Sequence, residues 1–104
     1  MKLKTTQVKP YREKMLAAQN YKCGLCGLPI TDNPVLDHDH KTGAIRSVLH
    51  NACNRFEGII VHWAKRTGVQ VDLETYLLSL IEYHKLHAVN QTGDIHPSHL
   101  TDIS

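Results

Sequence analysis

Cys23-Gly24-Leu25-Cys26 and Leu49-His50-Asn51-Ala52-Cys53-Asn54 bracket the run Val35-Leu36-Asp37-His38-Asp39-His40, and the fold turns on how this stretch is read. Two pairs of metal-ligand residue types, each with a two-residue spacer, flank a dense Asp/His cluster. Tetrahedral Zn²⁺ accepts three thiolates and one imidazole as a complete set. Cys23, Cys26, His50 and Cys53 supply that set, with His38, His40 and His62 as alternative fourth donors. The chain has three cysteines, so a disulfide scaffold would leave one thiol over, whereas a zinc site consumes all of them. Two unrelated buried pairs, or a lone redox Cys-x-x-Cys, would not explain the matching second pair. Structural zinc supplies roughly 10–16 kcal/mol to the folding of small domains, against a net stability of about 5–15 kcal/mol for a typical domain. The ion therefore decides whether such a chain folds.

The cluster between the pairs has a different chemistry. Phosphodiester hydrolysis needs an activated water, a cation at the scissile phosphate and assistance to the leaving oxygen. Hard cations such as Mg²⁺ take oxygen ligands, and the Asp37 carboxylate and Asn54 side-chain carbonyl are of that type. An imidazole is the side chain best suited to general-base work near neutral pH, and His38 stands beside Asp37. His50 and Cys53 would sit on the first turn of the following helix, so zinc would hold that helix, and Asn54 with it, against the strand.

Working outward, Lys41-Thr42-Gly43 reads as a turn between two antiparallel strands, residues 35–38 and 44–49. A helix follows from residue 50 or 51 to about 65, weakened at Gly58 and stopped by Thr67-Gly68. Upstream, residues 1–8 read as a loose basic arm, and Pro10 opens a helix to about residue 19 with Asn20 as terminator. That helix is expected to pack beside the zinc knuckle. Downstream, Asp72 caps the longest helix, residues 73–88. Its apolar positions, among them Leu73, Tyr76, Leu77, Leu80, Ile81 and Leu86, are broader than one core-facing stripe. The tail from Asn90 reads as irregular.

A chain of 104 residues makes one domain that is marginal without a staple. Charged residues are 21% of it, which excludes a disordered polyelectrolyte. No apolar run is long enough to span a bilayer and no signal peptide opens the chain, so a soluble cytoplasmic protein with no membrane partner is expected. Twelve basic against ten acidic residues, a formal +2, permits a nucleic-acid partner without demanding one. The eight histidines are the stronger compositional signal, for metals and proton transfer.

Cys23 with Cys26, the Leu36-Asp37-His38-Asp39-His40 run with Gly43 and Arg46, and Cys53-Asn54 together resemble the bacteriophage recombination endonuclease VII family. That family is a branch of the HNH, or ββα-metal, nucleases. The resemblance spans about residues 10–58, with a weaker echo after Asp72 and at Ile95-His96-Pro97. It implies an α+β fold: a zinc-stapled ββα-metal core at about residues 20–66, flanking helices, and a C-terminal helix at about 72–89 used for dimerisation, in one domain over 1–104. It implies Asp37 and Asn54 as ligands of a catalytic Mg²⁺ or Mn²⁺, His38 as general base, His40 as support for the site or the phosphate, and Glu57 in the metal shell. Four cysteines usually hold the family's zinc, and His50 stands here at one of those positions. Ser47 stands where a glycine is common. The implied function is cleavage of branched DNA, including four-way junctions, by a homodimer in the host cytoplasm.

Two rivals stand beside that reading. One is an HNH nicking or homing endonuclease on linear duplex DNA. The other is a non-catalytic zinc module that binds DNA, which would have no use for Asp37, His38 and Asn54 together. Lys41, Arg46 and Arg55 are phosphate-contact candidates, though isolated basic residues are ordinarily solvated surface charges. Phe56 and Trp63 read as core. His62, His84, His87, His96 and His99 read as surface.

Overall fold

In the computed structural model, which describes residues 1–99, the order is α1 (Thr5–Ala18), β1 (Pro34–His38), β2 (Ile45–His50), α2 (Asn51–Ala64) and α3 (Leu73–Val89). The chain forms two compact units, residues 1–67 and the remainder from Gly68.

α1 begins earlier than Pro10. Gln7 lies three residues beyond the cap residue Lys4, and its side-chain oxygen accepts the Lys4 amide at 2.8 Å. This satisfies one of the donors left free at a helix start, so residues of the expected arm fold into the first turn, with Pro10 inside the helix. At the other end Asn20 and Tyr21 take positive φ values of 55° and 59°. The Tyr21 amide bonds Leu16 at 2.9 Å and the Asn20 amide bonds Ala17 at 3.0 Å. That is a Schellman ending, and Asn20 is the terminator its residue type predicts.

Gln19 then fastens α1 to the sheet. Its Oε1 accepts the Val48 amide at 2.8 Å and its Nε2 donates to the Val48 carbonyl at 2.9 Å. One side chain thus does for Val48 what a neighbouring strand would. The same carbonyl accepts the Gly24 amide at 3.0 Å, bringing the Cys23–Cys26 knuckle onto β2. The approach is close: a Cβ on Gly24 would come within 2.8 Å of the Ser47 Cβ. Glycine at 24 is what admits serine at 47.

β1 and β2 pair antiparallel, Val35 with Leu49, Leu36 with Val48 and His38 with Ile45. One residue of β1, Asp37, therefore faces two of β2, Arg46 and Ser47, which is a β-bulge. The buried core is small: Cys23, Ile30, Val48 and Leu49, with Met15, Leu16, Leu36 and Cys53 packed against it. α1 does pack beside the knuckle. A core of this size leaves Phe56, Ile59 and Trp63 of α2 outside it, each at least half exposed. The expectation that Phe56 and Trp63 are core residues is thereby corrected.

In the second unit α3 is capped by Asp72, whose carboxylate accepts the Thr75 amide at 3.2 Å and hydroxyl at 2.8 Å. None of its residues is buried. Residues 90–99 are irregular as expected; the rest of the tail lies outside the described residues. Among the described residues no helix is long and apolar enough to cross a membrane.

Candidate functional site

Cys23, Cys26, His50 and Cys53 place one ligand atom each within 4.8 Å of one another. Zinc–sulfur bonds of about 2.3 Å at tetrahedral angles set ligand–ligand edges near 3.5–3.8 Å. His50 Nδ1 lies 3.2 Å from Cys26 Sγ and 3.9 Å from Cys53 Sγ. The other ring nitrogen, Nε2, donates to the Pro29 carbonyl at 2.8 Å, which leaves Nδ1 free of hydrogen for a metal. The Leu25 and His50 amides each donate to Cys23 Sγ at 3.4 Å. Burial opposes ionisation of Cys23, but amide donors from Cys26, His50 and Leu25 outweigh it and hold the thiol at about 6. Burial, then the neighbouring Cys26 and Cys23 sulfurs, pushes Cys53 up to about 11. Crowded sulfurs of this kind are what a cation relieves. The donor set, its spacing and the orientation of His50 fit zinc, and none of His38, His40 or His62 joins it.

The bulge builds the second arrangement. Asp37 is 6% exposed, a carboxylate that cannot be left unpaired at that depth. Arg46, across the bulge, donates from Nε to Asp37 Oδ2 at 2.7 Å. Its Nη2 reaches Glu57 Oε2 on α2 at 3.0 Å. The guanidinium therefore bridges carboxylates from a strand and a helix, and both raise its pKa further above its ordinary value. Asp37, Arg46 and Glu57 line a cleft of about 200 Å³ with Gly24, Leu25, Ser47 and Leu49.

The other residues singled out in the sequence are placed as follows. Asp39 is a turn residue: its Oδ1 accepts the Lys41 amide at 2.7 Å and the Thr42 amide at 3.1 Å, which holds its carboxyl below the usual range. His38 and His40 are exposed, with ring centroids 4.8 Å apart. His38 lines a separate groove of about 680 Å³ with Lys2, Tyr11, Leu36 and Ile45, as alternation along a strand requires of the neighbour of Asp37. Asn54 is half-buried in the first turns of α2. No hydrogen bond or ion pair among the described residues joins His38, His40 or Asn54 to the Asp37–Arg46–Glu57 trio. Lys41 and Arg55 are exposed.

The bridging role of Arg46 was not read from the sequence, although a hairpin turning at 41–43 sets residue 37 opposite residue 46. Gln19 gave no signal at all; a lone glutamine after a helix has none.

The family model described as recombination endonuclease VII matches residues 1–86. The match takes in the Cys23–Cys26 knuckle, the hairpin, α2 and most of α3, and stops short of Ile95-His96-Pro97. With more than four-fifths of its length covered, the chain belongs to the recombination endonuclease VII family, whose members are nucleases acting on DNA.

Proposed function

We propose that this protein is an HNH-type endonuclease that hydrolyses phosphodiester bonds in branched DNA, four-way junctions foremost, as a homodimer. The observation that carries the reading is Asp37: a buried carboxylate at a β-bulge, beside Glu57 of α2 and next to an exposed histidine. Zinc at Cys23, Cys26, His50 and Cys53 joins the hairpin to the start of α2.

Oxygen donors from Asp37, Asn54 and Glu57 suit a hard ion, and the Asp37–Arg46 contact uses only one oxygen of the carboxylate. A Mg²⁺ or Mn²⁺ ion held by these residues would supply charge neutralisation at the scissile phosphate. His38 takes the proton from the attacking water. His40 supports the phosphate, and Lys41 and Arg55 contact the backbone of the DNA. The reading of a dimer is supported by α3: Leu78, Ile81, Tyr83 and Leu86 are at least half exposed, an apolar surface that a second copy would cover.

The test is cleavage of a labelled four-way junction beside a matched linear duplex, in Mg²⁺ and in EDTA, by the wild type and His38→Ala. Symmetric cuts near the branch point, lost in EDTA and slowed about 10²–10⁴-fold in the variant, are the expected result for loss of a general base. Equal nicking of both substrates would move the function to linear duplex DNA. No cleavage by zinc-loaded, folded protein in any divalent ion would leave a DNA-binding module.

A further inference from the structure

We infer that Arg46 is a placeholder cation: its guanidinium occupies the acidic cleft at rest, gives up Asp37 and Glu57 when a divalent ion enters, and is thereby released to the DNA phosphate. The inference rests on the proposed metal-dependent nuclease reading and adds a residue-level device to it.

Three observations lead there. First, Asp37 is buried, and among the described residues its carboxylate is paired with Arg46 at 2.7 Å. A buried carboxylate without a counter-charge is strongly unfavourable, so a site that must be ready for a dication needs an occupant when the dication is absent. Second, the guanidinium is a fork that reaches both carboxylates with different nitrogens, Nε to Asp37 and Nη2 to Glu57. The two acids come from different elements, so bridging them holds α2's carboxylate in line with the strand's. Each acid contributes one oxygen, Oδ2 and Oε2, and the second oxygen of each lies outside the contact, where an incoming ion can engage before the arginine leaves. Third, Arg46 is not locked in. Its side chain is 41% exposed against 7% for Asp37, and it lines the 200 Å³ cleft. Exposure on that scale lets the side chain swing to solvent without disturbing the core.

Charge decides the direction of the exchange. The cleft at rest holds two carboxylates and one guanidinium, a formal −1, which still attracts a dication. With the dication seated, the two carboxylates and the ion sum to a formal zero, so the guanidinium loses the net negative charge that held it there. A planar, multidonor cation suits phosphate contact, and DNA brings phosphate to this cleft. Arg46 therefore serves two partners in sequence, an assignment different from a permanent surface clamp.

The experiment is a Mn²⁺ binding titration, read by the electron paramagnetic resonance signal of free Mn²⁺, on zinc-loaded wild type, Arg46→Gln, Arg46→Lys and Asp37→Asn. A competing placeholder predicts Mn²⁺ binding about tenfold tighter in Arg46→Gln. In Arg46→Lys, whose single ammonium cannot bridge both acids, it predicts a smaller gain, and in Asp37→Asn it predicts loss of binding. Arg46→Lys keeps a counter-charge beside Asp37, so it carries the test if Arg46→Gln does not fold. In the His38→Ala background, Mn²⁺ should strengthen DNA binding, and Arg46→Gln should abolish that gain. Unchanged or weaker Mn²⁺ binding in both Arg46 variants overturns the placeholder while leaving the nuclease reading intact. A wild type that binds no Mn²⁺ and cuts no DNA overturns the nuclease reading first.

Discussion

His50 Nε2 lies 2.8 Å from the carbonyl oxygen of Pro29, while Nδ1 of the same ring faces Cys26 Sγ at 3.2 Å. The contact selects the tautomer in which Nδ1 is free to donate to a metal, and it ties the Cys/His cluster to the loop entering β1. A backbone carbonyl in that role is the usual partner of a ligating imidazole. It leaves Nδ1 of His50 aimed at the same point as the Cys26 and Cys53 sulfurs.

One zinc per chain is therefore expected, and stripping it should unfold the first unit, because its buried core is four residues. His50→Cys should retain the metal and His50→Ala should bind it far more weakly. Metal analysis with far-UV circular dichroism before and after a strong chelator checks this. A folded, metal-free protein would contradict the stapling role.

Gly24 and Ser47 should show strong coupling. Gly24→Ala drives a methyl to 2.8 Å from the Ser47 Cβ, so a loss of about 1–3 kcal/mol is expected from overpacking. Ser47→Gly removes the obstructing atoms and should restore most of it. A denaturation double-mutant cycle measures the coupling, and purely additive effects would refute the contact.

Gln19→Ala should destabilise the protein by about 1–3 kcal/mol, since it leaves both the Val48 amide and a share of its carbonyl unpaired. Gln19→Glu keeps the acceptor and loses the donor, so it should fall between. Urea unfolding midpoints rank the three proteins.

Acid should loosen the Asp39 turn and the start of α3 as these two carboxyls take up protons. The Lys41 and Thr42 amides hold Asp39 below the usual carboxylate range, and the Thr75 hydroxyl and amide do the same for Asp72. A carboxyl depressed on folding contributes stability that is present above the unfolded value, about 3.9 for Asp, and is lost as pH falls through the folded value. Amide chemical shifts of Thr42 and Thr75 followed down to acid pH should move with those two carboxyls. Asp39→Asn and Asp72→Asn should remove the pH dependence at the respective site.

The sequence by itself determined the two donor pairs Cys23/Cys26 and His50/Cys53 as candidates, the hairpin and the helix that leaves it, because spacing and residue type carry those signals locally. Cys-x-x-Cys and His-x-x-Cys each bring two donors together within a single turn. Lys41-Thr42-Gly43 between alternating segments reads as a hairpin, and Asp72 before an apolar run reads as a cap. Asn20 likewise announced the end of α1, whereas its beginning was missed, since one glutamine capping a lysine has little local signature. Only the tertiary structure decided where each member of the Asp37-His38-Asp39-His40 run lies and what it contacts. Alternation along the strand, the bulge opposite Asp37 and the Asx-type turn at Asp39 sent four neighbouring side chains to three different environments. The Asp37–Arg46–Glu57 bridge joins residues from three elements, and its existence depends on register and helix placement that no local pattern specifies.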